Sequence, residues 1–255
     1  MSLPLDKNKL QQTSFVTPKE FINFAQKSGH NTSIKKTKTI FTWVKSYSED
    51  WLNKNEIKTG HLLFNKIYQL PSCVINPYIG QGAPASVIKL EEYIELGVKE
   101  FVFIGIAGAI DQQLKPGDIV ICDKAYRDEG TSYHYLPSSS SIINANEELV
   151  FQIEQCLKNE NIFVQKGTSW TTDAPYRETK EEISKYRGLG VKTVEMEASA
   201  LYAVSQFRGV KAISLFIVSD VLSGDSWQPH FNNKIIKKSF LKLLSAIAKH
   251  WGGWS

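Results

Sequence analysis

"GQGAPASVIKLEEYIELGVKEFVFIGIAGAI", residues 80–110, carries the clearest structural signal in the chain. After two glycines, Pro84 opens an amphipathic segment that Gly97 closes, as expected of a helix. The apolar run at 100–110 has the length and composition of a buried strand. Because alternating strands and helices are typical of a sheet with helices packed on it, this stretch predicts an α/β protein.

The same alternation continues on both sides of this stretch. Two segments, SEDWLNKN (48–55) and GHLLFNKIY (60–68), are ambiguous. The other periodic segments predict strands in TKTIFTWV (37–44), PSCVINPYIG (71–80), GDIVICDKAYRDEG (117–130), VKTV (191–194) and VKAISLFIVSD (210–220), and helices in NEELVFQIEQCLKNEN (146–161), ETKEEISKYRGLG (178–190), EMEASALYAVSQFRG (195–209) and NNKIIKKSFLKLLSAIAKHW (232–251).

The N-terminal part differs in composition from the rest. Residues 1–36 are mostly polar and hold one predicted short helix, TPKEFINFAQKSGH, with Thr17 as its cap and Pro18 as its first residue. Beyond residue 36 there is no low-complexity linker and no internal repeat. We therefore predict an N-terminal extension at 1–36 and one α/β domain at 37–255.

The bulk composition restricts the classes of function. The 255 residues carry 30 basic and 26 acidic side chains, a mild net charge of +4 that does not call for a nucleic-acid partner. The three cysteines, Cys73, Cys122 and Cys156, are too far apart for a CxxC motif, and no His cluster suggests a metal site. The N-terminus has no apolar leader, and no run is long enough to span a bilayer. We expect a cytoplasmic protein with no membrane partner, metal or cofactor.

Glycine-rich turns follow two of the predicted strands. Gly80 and Gly82 precede a helix, and Gly105 and Gly108 lie in GIAGAI (105–110). Free backbone N–H groups in such turns can bind an anion with help from the helix dipole. The alternative is a tight turn or a close packing contact, where glycine is needed only for its backbone freedom or small size. The turns fit neither common nucleotide-binding motif, so both readings remain.

Carboxylates follow two other predicted strands. Glu195 and Glu197 flank Met196 in TVEMEASALY (193–202), and Asp220 ends the strand before VLSGDSW. Ligands collect at such strand ends in open α/β sheets. Helix-dipole interactions could explain the glutamates, and a turn or cap could explain Asp220. The functional alternative for Asp220 is an acid whose pKa is raised by partial burial.

The segment RDEGTSYHYLP (127–137) is also rich in reactive side chains. Arg127, His134 and Tyr135 could face a ligand, although an ordinary polar loop explains them equally well.

Several of these segments together resemble the nucleoside phosphorylase superfamily. VEMEASALYAVSQFRG (194–209) followed by IVSD (217–220) is the most specific pair, and GQGAPAS, GIAGAI and GDIVI match the family in order. The resemblance implies a single domain with a central mixed twisted β-sheet, partly barrel-like, flanked by helices in three layers. It implies cleavage of the N-glycosidic bond of a nucleoside, without a cofactor, in a homo-oligomer that is a dimer or a trimer of dimers.

The resemblance also implies roles for individual residues. Glu197 would hold the ribose 2′- and 3′-hydroxyls through charge-assisted bonds and favour the positive sugar of the transition state. Met196 would pack against the sugar. Asp220 would protonate or hydrogen-bond N7 of a purine leaving group, which favours a purine-type base. Glu195 is expected to be structural or to contact the base. Pro175 stands near the place where some phosphorylases have an aromatic residue that stacks on purine, so contacts to the base are expected from Trp170, Tyr176 or Arg177 instead.

The sequence departs from the family at the phosphate site. Phosphorylases of the family have a GDPxR-type segment, but TIFTWVKSYSEDW (39–51) lacks arginine, and Phe103 stands where a second arginine would be. Lys45 could replace one of these cations. A pocket for phosphate or water is expected at Gly80, Gly82, Gly105 and Ile106. We predict a phosphorylase-type enzyme. The alternatives are a nucleosidase that uses water, since family nucleosidases lack these arginines, and a non-catalytic nucleoside-binding protein.

Overall fold

A computed structural model describes residues 9–137, 139–222 and 226–254. Within these residues seven α-helices surround one mixed sheet of eleven strands. The helices are α1 Pro18–Lys27, α2 Lys45–Lys54, α3 Ala83–Glu95, α4 Glu147–Asn159, α5 Lys180–Gly188, α6 Ala198–Arg208 and α7 Lys234–His250. The strands are β1 Lys38–Thr42, β2 Thr59–Leu62, β3 Asn65–Gln69, β4 Cys73–Asn76, β5 Glu100–Ala109, β6 Ile119–Asp128, β7 Ile142–Asn144, β8 Gln165–Thr172, β9 Thr193–Glu195, β10 Lys211–Val221 and β11 Gln228–Pro229.

Part of the sheet closes on itself. Its order is β11-β10-β6-β8-β9-β5-β1-β4-β3-β2, and β5 also pairs with β10, so that β10, β6, β8, β9 and β5 form a ring. The pairs β5–β10, β6–β8 and β8–β9 are parallel, whereas β6–β10 and β5–β9 are antiparallel. The predicted α/β domain with a mixed, partly barrel-like sheet is therefore confirmed.

The quoted stretch forms the centre of the core. Strand β5 lies between β1 and β10, and all its residues except Glu100 and Ile106 are buried. Its apolar run lacks alternation because helices or other strands cover both faces. Helix α3 precedes it with Pro84 in its first turn, as predicted.

Three details differ from the sequence reading or extend it. The ambiguous segments form helix α2 and the β2–β3 hairpin. Strand β8, QKGTSWTT, was missed because its inward residues are polar rather than apolar. Helix α6 begins at Ala198 rather than Glu195, because Glu195 still pairs within the sheet and residues 196–197 make the junction.

The predicted short helix of the N-terminal segment forms as α1. Thr17 and Glu20 make a reciprocal capping box, and Pro18 follows the cap. Ile22 and Ala25 pack against Leu63 and partly buried Leu96 of the domain. Residues 1–8 lie outside the described residues, and the domain boundary at 36/37 stays a prediction.

Gly105 makes room for an aromatic ring. A Cβ atom built on Gly105 would lie 2.5 Å from Cε3 of Trp43. The Trp43 ring is stacked between Phe103 and Phe216, at centroid distances of 5.7 and 6.2 Å, and cannot withdraw without disturbing both. Gly105 therefore lies within β5 rather than in a turn after it, and it serves close packing, which was one of the alternatives that the sequence left open.

Gly105→Val is expected to lower the free energy of unfolding by about 3 kcal/mol, the upper end of the usual cost of overpacking, because rigid rings surround the added methyl groups. Urea unfolding followed by far-ultraviolet circular dichroism measures this change. Gly188→Ala is the control, since nothing lies within 4 Å of the added Cβ and alanine favours a helix. Equal destabilisation of both variants would contradict the packing role.

Candidate active site

A cavity of about 590 Å³ opens beside the last residues of β5, β9 and β10. The short turn Pro175–Arg177, the junction between β9 and α6, and the segment after β10 complete its wall. Six of the residues selected from the sequence line it, namely Ile106, Tyr176, Glu195, Met196, Glu197 and Asp220. The other lining residues are Trp43, Gln81, Ala107, Gly108, Pro175, Glu178, Lys180, Ile183, Val194, Ser219, Leu222, Ser226, Trp227 and Phe231.

Glu195 ends strand β9 and holds the start of helix α6. Its Oε2 accepts hydrogen bonds from the backbone N–H groups of Glu197 and Ala198, both at 2.7 Å. Its Oε1 accepts from the Thr171 hydroxyl of β8 at 2.5 Å. These backbone groups have no partner within the helix, so the buried carboxylate acts as a helix cap. Burial raises the pKa of Glu195, and these three donors oppose the rise.

Glu197 is the residue before helix α6, and its side chain contacts the glycine turn at Gly80 and Gly82. Its Oε1 accepts a hydrogen bond from the Gly82 N–H at 2.6 Å, and its Oε2 accepts from the Met196 N–H at 3.3 Å. Gly82 has a φ of +85°, a conformation that favours glycine. Burial, followed by the neighbouring Glu195 charge, raises the pKa of Glu197. The N–H expected to bind an anion therefore binds the protein's own carboxylate.

Asp220 is directed into the cavity by an irregularity in β10. The pairing of β10 with β5 shifts register between Val218 and Asp220, and such bulges re-aim side chains. Asp220 Oδ1 accepts from the Ser219 hydroxyl at 2.6 Å, and Oδ2 accepts from the Trp227 indole N–H at 2.7 Å. A Cβ on Gly108 would lie 3.0 Å from Oδ2, so this glycine leaves space for the carboxylate.

The cavity is rich in acidic groups and poor in cations. Four carboxyl side chains line it, and Lys180 is the single lysine or arginine among the described lining residues. Phe103 is fully buried beside Trp43, which fills the wall next to Ile106 with aromatic surface. An anion without paired cations is costly to bury, so the wall is poorly suited to a phosphate dianion.

Glu178 is a lining residue that the sequence reading missed. It follows Tyr176 and Arg177 and is the first residue of the segment 178–190 that the sequence predicts as a helix, where a glutamate gives no sign of a site. Burial, with the charges of Asp220 and Glu182, raises its pKa to about 7. The aromatic lining residues Trp43, Trp227 and Phe231 were also missed, because distant parts of the chain bring them together.

Two of the predicted base-binding residues lie outside the cavity lining. Trp170 is buried, donates its indole N–H to Asp128 Oδ2 at 2.9 Å, and stacks on Tyr186. Arg177 is exposed beside Tyr176, whose own side chain is 99% exposed at the rim. The structure thus gives Trp170 a packing role.

The remaining predicted residues are also not part of the lining. Arg127 is buried and donates to the Ser132 hydroxyl and to the backbone carbonyls of Leu136, Pro137 and Ser140, so it shapes its own loop. His134 and Lys45 are exposed, and His134 contacts Lys9. Gly80, Gly82 and Gly105 are not among the lining residues, although Gly105 packs against the lining residue Trp43.

Two features that are absent from the described residues bear on the predicted partners. Among residues 9–137, 139–222 and 226–254, no group of histidine, cysteine or acidic side chains is arranged to hold a metal ion. No helix in these ranges combines the length and apolar character that crossing a membrane requires.

Comparison with known proteins identifies relatives of the chain. Residues 42–249 match the sequence profile described as the phosphorylase superfamily. A DeoD-type purine nucleoside phosphorylase of Bacillus cereus (strain B4264) is 32% identical over 142 residues, which are 55% of this chain. The matched part spans 60% of the length of that relative.

Solved structures with the same fold include enzymes of two kinds. Purine nucleoside phosphorylase from Toxoplasma gondii, solved with immucillin-H, has a TM-score of 0.71 at 19% identity, covering 84% of this chain and 91% of its own. The 5′-methylthioadenosine/S-adenosyl homocysteine nucleosidase of Campylobacter jejuni also has a TM-score of 0.71 at 19% identity, covering 86% and 99%. At these identities the likeness shows the fold alone.

Proposed function

The chain belongs to the phosphorylase superfamily, and from that premise we propose that it cleaves the N-glycosidic bond of a purine-type nucleoside with water as the acceptor. The observation that carries the choice of water is the composition of the cavity: four carboxyl groups and one lysine among its described lining residues. A purine nucleoside is uncharged and suits this wall better than phosphate does.

Glu197 is the proposed ribose-binding residue. Its two oxygens already accept one backbone N–H each and keep further lone pairs for the sugar hydroxyls. Hydroxyl donors favour the charged carboxylate, so sugar binding opposes the rise in pKa that burial causes. The negative charge then stabilises the oxocarbenium-like sugar as the bond to the base breaks. Met196 supplies an apolar surface against the ribose.

Asp220 is the proposed contact to the base. It lies on β10, whereas Glu197 lies at the junction of β9 and α6, and both residues line the cavity. Two carboxyl groups on different elements allow one to hold the sugar while the other hydrogen-bonds the purine. Tyr176 at the rim provides an aromatic surface for the base, whereas Glu195 contributes by fixing the backbone of Glu197.

Water is favoured over phosphate by two features of the wall. The Gly82 N–H, which an anion would need, is donated to Glu197. The position expected for a phosphate-binding arginine holds Phe103, which is packed among Phe41, Phe101 and Trp43. Lys45 lies outside the lining and supplies no replacement cation there.

Product analysis tests this proposal. Purified protein is incubated with adenosine, inosine and methylthioadenosine, with and without inorganic phosphate, and the sugar products are separated by chromatography. We expect free base and free ribose or its 5′-thio derivative, at rates that phosphate leaves unchanged. Formation of a sugar 1-phosphate only when phosphate is present would instead establish phosphorolysis.

Phosphorolysis remains the second candidate because of sequence similarity. The Bacillus cereus relative, at 32% identity, is a purine nucleoside phosphorylase by name. A non-catalytic nucleoside-binding protein is the third reading, and the presence of both Glu197 and Asp220 in the cavity weighs against it. The predicted homo-oligomer, a dimer or a trimer of dimers, stays a prediction.

A further inference from the structure

Glu178 differs from the other cavity acids in its hydrogen bonding. Glu195, Glu197 and Asp220 each accept at least two hydrogen bonds from the protein. Within the described parts of the chain, no hydrogen-bond partner is found for the Glu178 carboxyl, although the residue lines the cavity and is only partly exposed. Among the four cavity acids, Glu178 is therefore the one whose two oxygens are both free of hydrogen bonds to the described residues.

Asp220 is better suited to accept a hydrogen bond than to supply a proton. The Ser219 hydroxyl and the Trp227 indole donate to separate oxygens of Asp220, at 2.6 and 2.7 Å. Both oxygens of Asp220 therefore already act as hydrogen-bond acceptors. Each oxygen keeps a further lone pair that can accept from an N–H group of a base.

The surroundings of Glu178 disfavour the charged form of its carboxyl group. Asp220 lines the same cavity, and Glu182 lies one turn into α5, so both put negative charge near Glu178. Lys180 is the one lysine or arginine among the described lining residues, and it is exposed. Burial, followed by repulsion from Asp220 and Glu182, raises the pKa of Glu178 to about 7. A substantial fraction of Glu178 therefore carries a proton at neutral pH, as an efficient general acid requires.

We propose that Glu178 is the general acid that protonates the departing base and that Asp220 is the hydrogen-bond acceptor that orients it. This assignment rests on the proposed nucleoside cleavage. The carboxyl proton moves to a ring nitrogen of the purine, and the bond from C1′ to the base breaks with its electron pair going to the base. The oxygen of a water molecule bonds to C1′ and loses a proton, and a proton from solvent restores the Glu178 acid.

Glu178→Gln tests the proposal because glutamine keeps the shape but cannot transfer a proton. The kcat for adenosine is expected to fall about 100-fold with little change in KM, since a positioned general acid contributes roughly 10²–10⁴-fold. 7-Methylguanosine carries its positive charge already and leaves without protonation, so the variant should cleave it at close to the wild-type rate. The decline of wild-type kcat with adenosine as pH rises above neutrality should be absent in the variant.

Two further variants make the outcome specific. Glu181→Gln changes an exposed glutamate in the first turn of α5 and should leave both reactions unchanged. Asp220→Asn should slow both nucleosides, because either base needs the acceptor. The assignment would be overturned if Glu178→Gln lost the same factor in kcat with adenosine and with 7-methylguanosine. It would also be overturned if Asp220→Asn were slow with adenosine but cleaved 7-methylguanosine at the wild-type rate. If the wild-type protein cleaved no nucleoside, the proposed function and this assignment would both be wrong. If the wild type were active and Glu178→Gln had the same kcat with adenosine, the assignment alone would be wrong.

Discussion

Glu197→Gln is expected to lower kcat/KM for purine-nucleoside cleavage by about 1,000-fold. The carboxylate would make two charge-assisted bonds to the ribose, each worth about 1.5–3 kcal/mol, and each 1.4 kcal/mol corresponds to a factor of ten. A glutamine keeps the backbone contact to Gly82 through its amide oxygen but loses the negative charge that faces the developing positive sugar. Initial rates measured by release of the free base, over a range of nucleoside concentrations, give the change.

The matched control is Glu95→Gln, which changes an exposed glutamate at the end of α3, outside the cavity lining. It should have wild-type kcat/KM and unfolding behaviour. If Glu197→Gln were folded and retained kcat/KM within the error of this control, the ribose assignment would be wrong.

Glu195→Ala is expected to lower the free energy of unfolding by about 3 kcal/mol. The side chain satisfies three buried donors, two backbone N–H groups of the β9–α6 junction and the Thr171 hydroxyl. Leaving a buried donor without a partner costs about 1–3 kcal/mol. Burial raises the pKa of Glu195, so removing the buried carboxylate is itself favourable and offsets part of the cost of the three unpaired donors. Urea unfolding at neutral pH, followed by far-ultraviolet circular dichroism, measures the difference.

Glu195→Gln is the conservative control for this change. Its amide oxygen can still accept both N–H groups, and its amide nitrogen can donate to Thr171, so a loss below about 1.5 kcal/mol is expected, as for a typical single hydrogen bond. If Glu195→Ala had the wild-type free energy of unfolding, the helix cap would be unimportant. If both variants lost the same large amount, the negative charge rather than the hydrogen bonds would stabilise the junction.

The strands and helices that the sequence predicted well are those with a strong apolar pattern. The proline at the start of α3 and the continuous apolar run of β5 are local features of the sequence, and the structure contains the helix and the buried strand that they predict. Strand β8 was not predicted because Ser169 and Thr171 point inward and are satisfied by Thr193 and Glu195 of a neighbouring strand. Polar residues buried by such cross-strand bonds carry no hydrophobic signal.

Only some of the residues that line the cavity could be predicted from the sequence, because the others carry no local pattern. Met196, Glu197 and Asp220 lie in segments whose resemblance to the family is strong, and the structure brings all three to one cavity. Glu178 and Trp227 could not be selected, because their place in the cavity depends on how the turn before α5 and the segment after β10 fold onto it. The link between Gly82 and Glu197 joins residues 115 positions apart, which no local pattern reports.

The most direct test of the account is the identity of the sugar released from a purine nucleoside in the presence of saturating inorganic phosphate. The acidic cavity, with Gly82 committed to Glu197 and aromatic rings beside Ile106, predicts free ribose at a rate independent of phosphate. Ribose 1-phosphate as the product, formed at a rate that rises with phosphate concentration, would contradict it.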